Sequence, residues 1–419
     1  MKNRSLLTLS VLAVGAPASS LAGGLYLYEL GTPDVGLASA GYAARAQDAS
    51  TVFKNPAGMS YLTGAQLQAG VQLLYGSVQF TPNAGTSPSL GSNGGGNAVG
   101  ALPALSAFFV QPLSERVAIG FGTFSNFGLA EQYDDHWVGR YYVQKGTLLG
   151  VSLMPSVSFK ATDWLSLGAG LNAMVGYLNT QVAVNNPGLV GDGQMTLKDY
   201  DMGFGANVGA ILQPCQSTRI GITYTSAVNL DFNAVPSFSN LGPVMSALLA
   251  NSRGIDLGMK APQTVMLSGY HELNPQWALM ANVGWQNWAQ FGKVDVGVGS
   301  TGIERTVNAN YQNTWHGAFG AQYRPCDQWQ FTFGTAFDSS AVSSENRTVT
   351  LPMGRAWRFG LGAMWQVSRA ISLNAAYEYM WCGTMSVDQG QYGSSRGRVD
   401  GAYNDAWFSF VTANLAWKF

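Results

Sequence analysis

Residues 371–382 read Ile-Ser-Leu-Asn-Ala-Ala-Tyr-Glu-Tyr-Met-Trp-Cys. Taken two apart, Ile371, Leu373, Ala375, Tyr377, Tyr379 and Trp381 form one set, and Ser372, Asn374, Ala376, Glu378, Met380 and Cys382 form the other. A helix would scatter the apolar set around its axis, whereas a strand places it on one side. The same alternation recurs at 277–286 (Trp277, Leu279, Ala281, Val283, Trp285) and at 149–160 (Leu149, Val151, Leu153, Val157, Phe159). It recurs again at 220–231, where Ile220, Ile222 and Tyr224 oppose Gly221, Thr223, Thr225, Asn229 and Asp231 and predict one strand. The opposing sets are mostly Gly, Ala, Ser, Thr, Asn and Gln, not the charged residues of a solvent face. The apolar sets carry aromatics at strand ends, as in Trp277 and Trp285, Trp357 and Trp365, and Tyr379 and Trp381. Aromatic girdles on one face and small polar residues on the other describe strands that cross a bilayer around a confined lumen.

Composition agrees. Charged residues make up 11% of the 419, against about 25% in an average soluble protein, while the mean hydropathy is only +0.05. That combination suits neither a soluble surface nor a helical membrane protein, and no apolar run after residue 23 approaches the roughly 18 residues a spanning helix needs. A net charge of −1 supplies no basic surplus for nucleic acid. The fold expected is therefore all-β, a transmembrane antiparallel β-barrel. The short connections are Pro112–Arg116, Ala161–Trp164, Pro214–Thr218, Asn274–Gln276, Pro325–Gln328 and Ser368–Ala370. They alternate with long ones at about 81–98, 128–147, 183–196, 233–262, 293–306, 339–354 and 386–403, which predicts about 14 strands with all short turns at one end.

The N-terminus reads as a signal peptide over 1–22. Lys2 and Arg4 precede an apolar stretch from Leu6 to Ala16, and Ser20-Leu21-Ala22 is a small-x-small cleavage site. Residues 23–63 do not alternate and precede the first strand, so they form either a tail or a plug in the lumen, ahead of a barrel over 64–419. Asn55-Pro56 is a turn-forming pair. In the long connection 233–262, Leu241, Val244, Met245, Leu248 and Leu249 share one helix face. An apolar helix there either covers its own loop cluster or forms a landing groove for apolar molecules. Gly128, after Asn126 and Phe127, ends the third strand in this reading and relaxes its pairing. The turn cysteines Cys215 and Cys326 are about four strands apart, too far for a disulfide, and Cys382 is the third. The last residues alternate to a terminal aromatic, Phe419, an ending suited to outer-membrane barrel assembly machinery.

Residues 36–62, GLASAGYAARAQDASTVFKNPAGMSYL, resemble the N-terminal hatch of the FadL family of outer-membrane transporters for long-chain fatty acids and other hydrophobic compounds. The matching features are the Gly/Ala-rich stretch, the Asp48-Ala49 pair and the Asn55-Pro56-Ala57 motif. Phe124–Ala130, Asp163–Leu171, Trp285 with Trp288 and Phe291, Asn346-Arg347-Thr348 and Leu351-Pro352 are similar to further family stretches in the same order. The resemblance implies a bacterial outer-membrane barrel of 14 strands, monomeric, with a hatch carried by Asp48, Asn55, Pro56 and Ala57. It implies a loop groove for a hydrophobic small molecule and a lateral opening into outer-membrane lipid at Asn126, Phe127 and Gly128. Arg355 and Arg358 are the candidate partners for a substrate carboxylate. The chain departs from the family's fatty-acid members at Asn179-Thr180-Gln181-Val182, where those carry a basic residue, so a neutral aromatic hydrocarbon stands beside a fatty acid as substrate.

Neither a cofactor nor an enzyme is expected. His136, His271 and His316 have no partner at metal-ligand spacing, and no serine is singled out as a nucleophile. Gly168–Ala173 fits a loose dinucleotide pattern but lies inside an alternating strand, the wrong context. A structural or adhesive surface barrel and a water-filled general porin are the alternatives.

Overall fold

The structure, a computed structural model, describes residues 26–28, 30–187, 191–250, 252, 254–298 and 303–419; the expected signal peptide lies outside them. Fourteen antiparallel strands form a closed barrel: β1 (Gln66–Ser77), β2 (Gly100–Pro112), β3 (Val117–Gln132), β4 (Lys145–Lys160), β5 (Leu165–Val184), β6 (Gly193–Cys215) and β7 (Thr218–Thr225), then β8 (Thr264–Glu272), β9 (Trp277–Gln286), β10 (Thr314–Cys326), β11 (Trp329–Asp338), β12 (Ala356–Gln366), β13 (Ile371–Gln389) and β14 (Val399–Lys418). The first and last strands close it, from Gln66 opposite Lys418 to Ser77 opposite Trp407. The six expected turns all sit at one end.

The two faces invert the pattern of a soluble protein. Apolar outward side chains such as Val151, Phe333, Phe359, Leu361 and Val411 are exposed, while Gln68, Asn207, Asn282 and Ser152 are buried inside. Lipid supplies the environment that makes such an exterior stable. The aromatics pair across strands near the loop end (Trp285 with Trp315, Trp357 with Trp381, Trp381 with Trp407) and near the turn end (Trp277 with Tyr323, Trp329 with Trp365). Eight residues separate Trp357 from Trp365, roughly 27 Å along a strand. At a tilt of about 40° that spans roughly 20 Å, close to the apolar band of such barrels.

The strands run further into the loops than the sequence suggests. The expected loop 128–147 shrinks to 133–144, and 386–403 shrinks to 390–398. The expected strand 220–231 is two strands, because after Thr225 the chain crosses inward above Gly203, where any Cβ would overlap the Asn229 carbonyl. Segment 228–234 then joins 255–261, 293–298 and 303–308 in a separate four-stranded sheet. Its apolar residues, Leu230, Phe232, Leu257 and Met259 among them, are buried. The three cysteines are free thiols.

Residues 26–28 and 30–62 lie within the barrel, with short helical turns at Pro33–Leu37, Thr51–Lys54 and Pro56–Tyr61 and almost every residue from Leu30 to Met59 buried. The wall makes room by presenting glycine. A Cβ on Gly334 would overlap the Leu37 carbonyl, and one on Gly221 the Ala43 carbonyl. These two glycines are needed for space, not for backbone freedom. Gly334→Val and Gly221→Val should each give a folded, heat-modifiable barrel whose N-terminal segment is expelled. Proteolysis should then remove residues before Gln66 from the variants and spare them in the parent; equal protection would show that the wall does not shape itself around the segment.

Candidate functional site

Between β2 and β3 the ladder of the wall stops while both strands continue. β3 pairs with β2 from Ala118 opposite Pro112 to Thr123 opposite Ala107, and there the pairing stops. β2 continues beside β1 as far as Gly100, and β3 continues beside β4 as far as Gln132. The separation starts at a bulge: Ser125 and Asn126 together stand opposite one β4 residue, between Phe124 opposite Ser152 and Phe127 opposite Gly150. A bulge bends its strand and raises the local twist, which carries β3 away from β2. Gly128 follows with φ +128°, where a Cβ would overlap the Leu148 carbonyl. The expectation that strand three ends at Gly128 is thereby corrected. The strand bends there and rejoins β4, because glycine permits a backbone that other residues rarely adopt.

The freed edge of β3 takes its partner from the N-terminal segment. The Leu27 amide donates to the Asn126 carbonyl at 2.8 Å, and Tyr26 bridges Phe127. Phe127 is buried and meets Phe291 edge to face at 6.0 Å. An apolar concavity of about 1380 Å³ occupies this part of the wall. Its lining includes lipid-side Val71, Leu105 and Val151 together with Leu27, Gln72 and Phe124 from within, so it reaches both sides of the wall.

The expected hatch residues are all buried and meet either one another or the wall. Asp48 belongs to a four-charge cluster with Asp34, Arg45 and Lys54, entirely within the N-terminal segment. Burial would raise the Asp48 carboxyl, but Lys54, Arg45 and the Ser50 hydroxyl and amide outweigh it and hold it at about 2. Asn55 caps the turn that begins at Pro56: its Oδ1 accepts from the Ala57 amide at 3.1 Å. Its Nδ2 donates to the Ala43 carbonyl at 2.8 Å and to the β6 carbonyl of Ala210 at 3.2 Å. Ala57 lies against Gly168 of β5, where a Cβ would overlap its amide. The Asn-Pro-Ala motif is thus the tie between segment and wall.

The loop helix is shorter than expected, Pro243–Leu249, and its apolar residues divide. Met245 and Leu249 are buried in the loop cluster and Leu241 packs beside it, whereas Val244 and Leu248 face outward with Val235. Leu241 precedes the helix because Asn186 fixes the start, accepting from the Gly242 amide and donating to the Asn240 carbonyl. The helix thus buries two of the five residues in the loop cluster and exposes two others.

Arg355 is exposed just ahead of β12, and Arg358 points inward. Arg358 is already engaged: its Nε donates to Asp338 at 2.7 Å and its Nη1 to Glu378 at 3.1 Å. His316 completes this network through Nδ1 to Asp338, 2.7 Å, and its Nε2 lies 3.3 Å from the Ser39 hydroxyl. The connectivity is that of a serine–histidine–aspartate triad. Ser39 is wholly buried, however, and its hydroxyl is 2.7 Å from the Ala38 carbonyl, so it ties segment to wall and offers no path for attack. Sequence reading singled out Arg358 alone. The other three occupy inward positions on β10, β11 and β13, and only strand register shows that they converge.

The sequence profile described as "Outer membrane protein transport protein (OMPP1/FadL/TodX)" matches residues 13–417. The chain belongs to this family. A long-chain fatty acid transport protein of Salmonella typhi is 27% identical over 94% of this chain and 96% of its own length. Outer membrane protein P1 of Haemophilus influenzae is 28% identical over 90% of each. The crystal structure of a FadL homologue from Pseudomonas aeruginosa superposes with a TM-score of 0.81 at 22% identity, over 96% of this chain and all of that one. This FadL-family member is accordingly an outer-membrane barrel, and the relatives are named for transport, not catalysis.

Two outcomes follow for Asn55 and Asp48. Asn55→Ala removes a cap worth about 1–2 kcal/mol, so hydrogen exchange at the Ala57 amide should quicken roughly 5- to 30-fold while the strand amides stay protected. Asp48 has a depressed folded-state value. Its contribution is present in full above the unfolded value of about 4 and lost as pH falls toward about 2. Protease protection of the N-terminal segment should therefore be flat between about pH 5 and pH 8 and fall only below about pH 4. A loss near neutrality would mean that another group controls the cluster.

Proposed function

We propose that the protein is a passive outer-membrane channel for hydrophobic compounds, long-chain fatty acids or similar. In this reading a molecule lands on the exposed apolar side of the loop helix, passes the hatch formed by residues 23–63, and leaves sideways between β2 and β3 into the membrane. The observation that carries it is the apolar concavity at the break between β2 and β3, with lipid-side and lumen-side residues in one lining. Export with loss of residues 1–22, insertion of the 64–419 barrel by the outer-membrane assembly machinery, and a monomeric state complete the proposal.

The family and the fatty-acid relatives support this reading. A general porin is opposed by the filled lumen, whose inward charges on β10–β13 pair with one another. That pairing also bears on substrate. Arg358 would have to surrender Asp338 or Glu378 to receive a carboxylate, so apolar bulk is the property that the passage reads first.

Ala104 of β2 lines the concavity. Ala104→Trp should fill it, and entry of radiolabelled oleate and of toluene into cells expressing the variant should drop about tenfold, the scale of one blocked contact site. Heat-modifiability should stay as in the parent. Undiminished entry of both compounds through a folded variant would sink the lateral route. Loss of only one would identify the substrate class that uses it.

A further inference from the structure

Tyr28 sits where the N-terminal segment meets the buried charge network. Its ring stacks on His316 with centroids 4.5 Å apart, tilted by 38°, and the Arg358 guanidinium lies 5.8 Å from its centroid. Its hydroxyl accepts from Gln286 Nε2 of β9 at 2.7 Å. Tyr26 lies edge to face against it at 6.1 Å, and Tyr42 does so from the other side at 5.8 Å. One ring therefore touches β9, β10, β12 and the segment itself, and it is fixed from all of these directions at once.

Two residues before Tyr28 is the bridge that occupies the freed edge of β3. Next to the bulge, that edge is met by the backbone bond from Leu27 to Asn126 and by the Tyr26–Phe127 bridge. A single antiparallel pair of this kind is weak in isolation. It needs its short strand held at the right height and angle. The hatch core cannot do this directly, because Asp34, Arg45, Asp48 and Lys54 pair among themselves further along the chain.

The geometry assigns His316 and Tyr28 the role of positioning residues for the lateral opening. The network of His316, Asp338, Arg358 and Glu378 clamps the Tyr28 ring, and the clamped ring holds Tyr26 and Leu27 across the gap between β2 and β3. The four network residues are joined to one another: His316 and Arg358 share Asp338, and Arg358 also reaches Glu378. Cation–π and ring-stacking contacts add directional preference to that burial. This assignment rests on the lateral route proposed above only for its consequence in transport. The clamp itself is a statement about where residues 26–28 sit.

Disulfide trapping tests it without transport. Leu27 and Asn126 face each other across one antiparallel pair, within the Cα separation that a disulfide spans. The double variant Leu27→Cys, Asn126→Cys, with Cys215→Ser and Cys326→Ser to remove the exposed thiols, is oxidised in outer-membrane preparations and the cross-linked fraction is followed in time. Tyr28→Ala should slow cross-linking about tenfold, as should His316→Ala, while Tyr28→Phe should keep most of the parent rate because it retains the ring contacts. Tyr28 lies outside the barrel strands, so Tyr28→Ala leaves folding, read by heat-modifiability, as in the parent even if His316→Ala does not. An unchanged cross-linking rate in Tyr28→Ala would overturn the clamp. Slowed cross-linking with undiminished entry of oleate and toluene would uphold it and remove the lateral route instead.

Discussion

Every backbone amide that faces hydrocarbon must find a partner in its own chain, and this constraint orders the whole molecule. It requires a ladder closed on itself, and β1 beside β14 closes it. It also gives meaning to the place where two strands part and both continue. Where β3 leaves β2, the polar edge so created would be costly in lipid. The bulge at Ser125–Asn126 turns that edge toward the lumen, and residues 26–27 supply part of the missing partner. The opening and the N-terminal strand are two solutions to one hydrogen-bonding problem.

The lumen follows a different rule. Its segment has no lipid face, so its fit depends on close approach and on polar groups meeting polar groups. The wall answers with glycines beneath the segment's backbone and with amide side chains that reach it: Asn282 accepts from the Gly41 amide and donates to the Ser39 carbonyl, and Ser268 accepts from the Ala43 amide. Such contacts fix a shape without large buried apolar area. The segment carries its own charges in balanced pairs, while one cluster of wall charge gathers around Arg358 and another wall cation, Arg219, lies over the Tyr61 ring.

These two rules explain what could be read from the sequence. Lipid makes an unambiguous demand on every second residue, so Leu373, Tyr377 and Trp381 declare their face one by one, and fourteen strands with six tight turns were legible. The Asn55-Pro56-Ala57 motif was legible too, because a cap is local. Strand 220–231 was misread, since its break depends on Gly203 of another strand, which leaves space for the chain to turn inward. The five apolar residues from Leu241 to Leu249 showed a helical period but not its division between the loop cluster and the exterior. The convergence of His316, Asp338, Arg358 and Glu378 was invisible for the same reason. It exists only once register has placed four separate strands side by side.

On the proposed lateral route, selectivity follows from where the opening lies. A gap in the end of a barrel would connect two aqueous phases, and any ion small enough could use it. A gap in the wall connects the lumen to hydrocarbon, where a charged or strongly hydrated solute pays the cost of desolvation on leaving. The concavity adds little polar surface to reduce that cost, being lined chiefly by aliphatic, aromatic and small residues such as Leu102, Leu105 and Phe124. The barrel therefore needs no charged filter. On that route the membrane beside the gap would perform the discrimination, and the protein's task would reduce to keeping residues 26–28 seated when no apolar molecule is there to take their place.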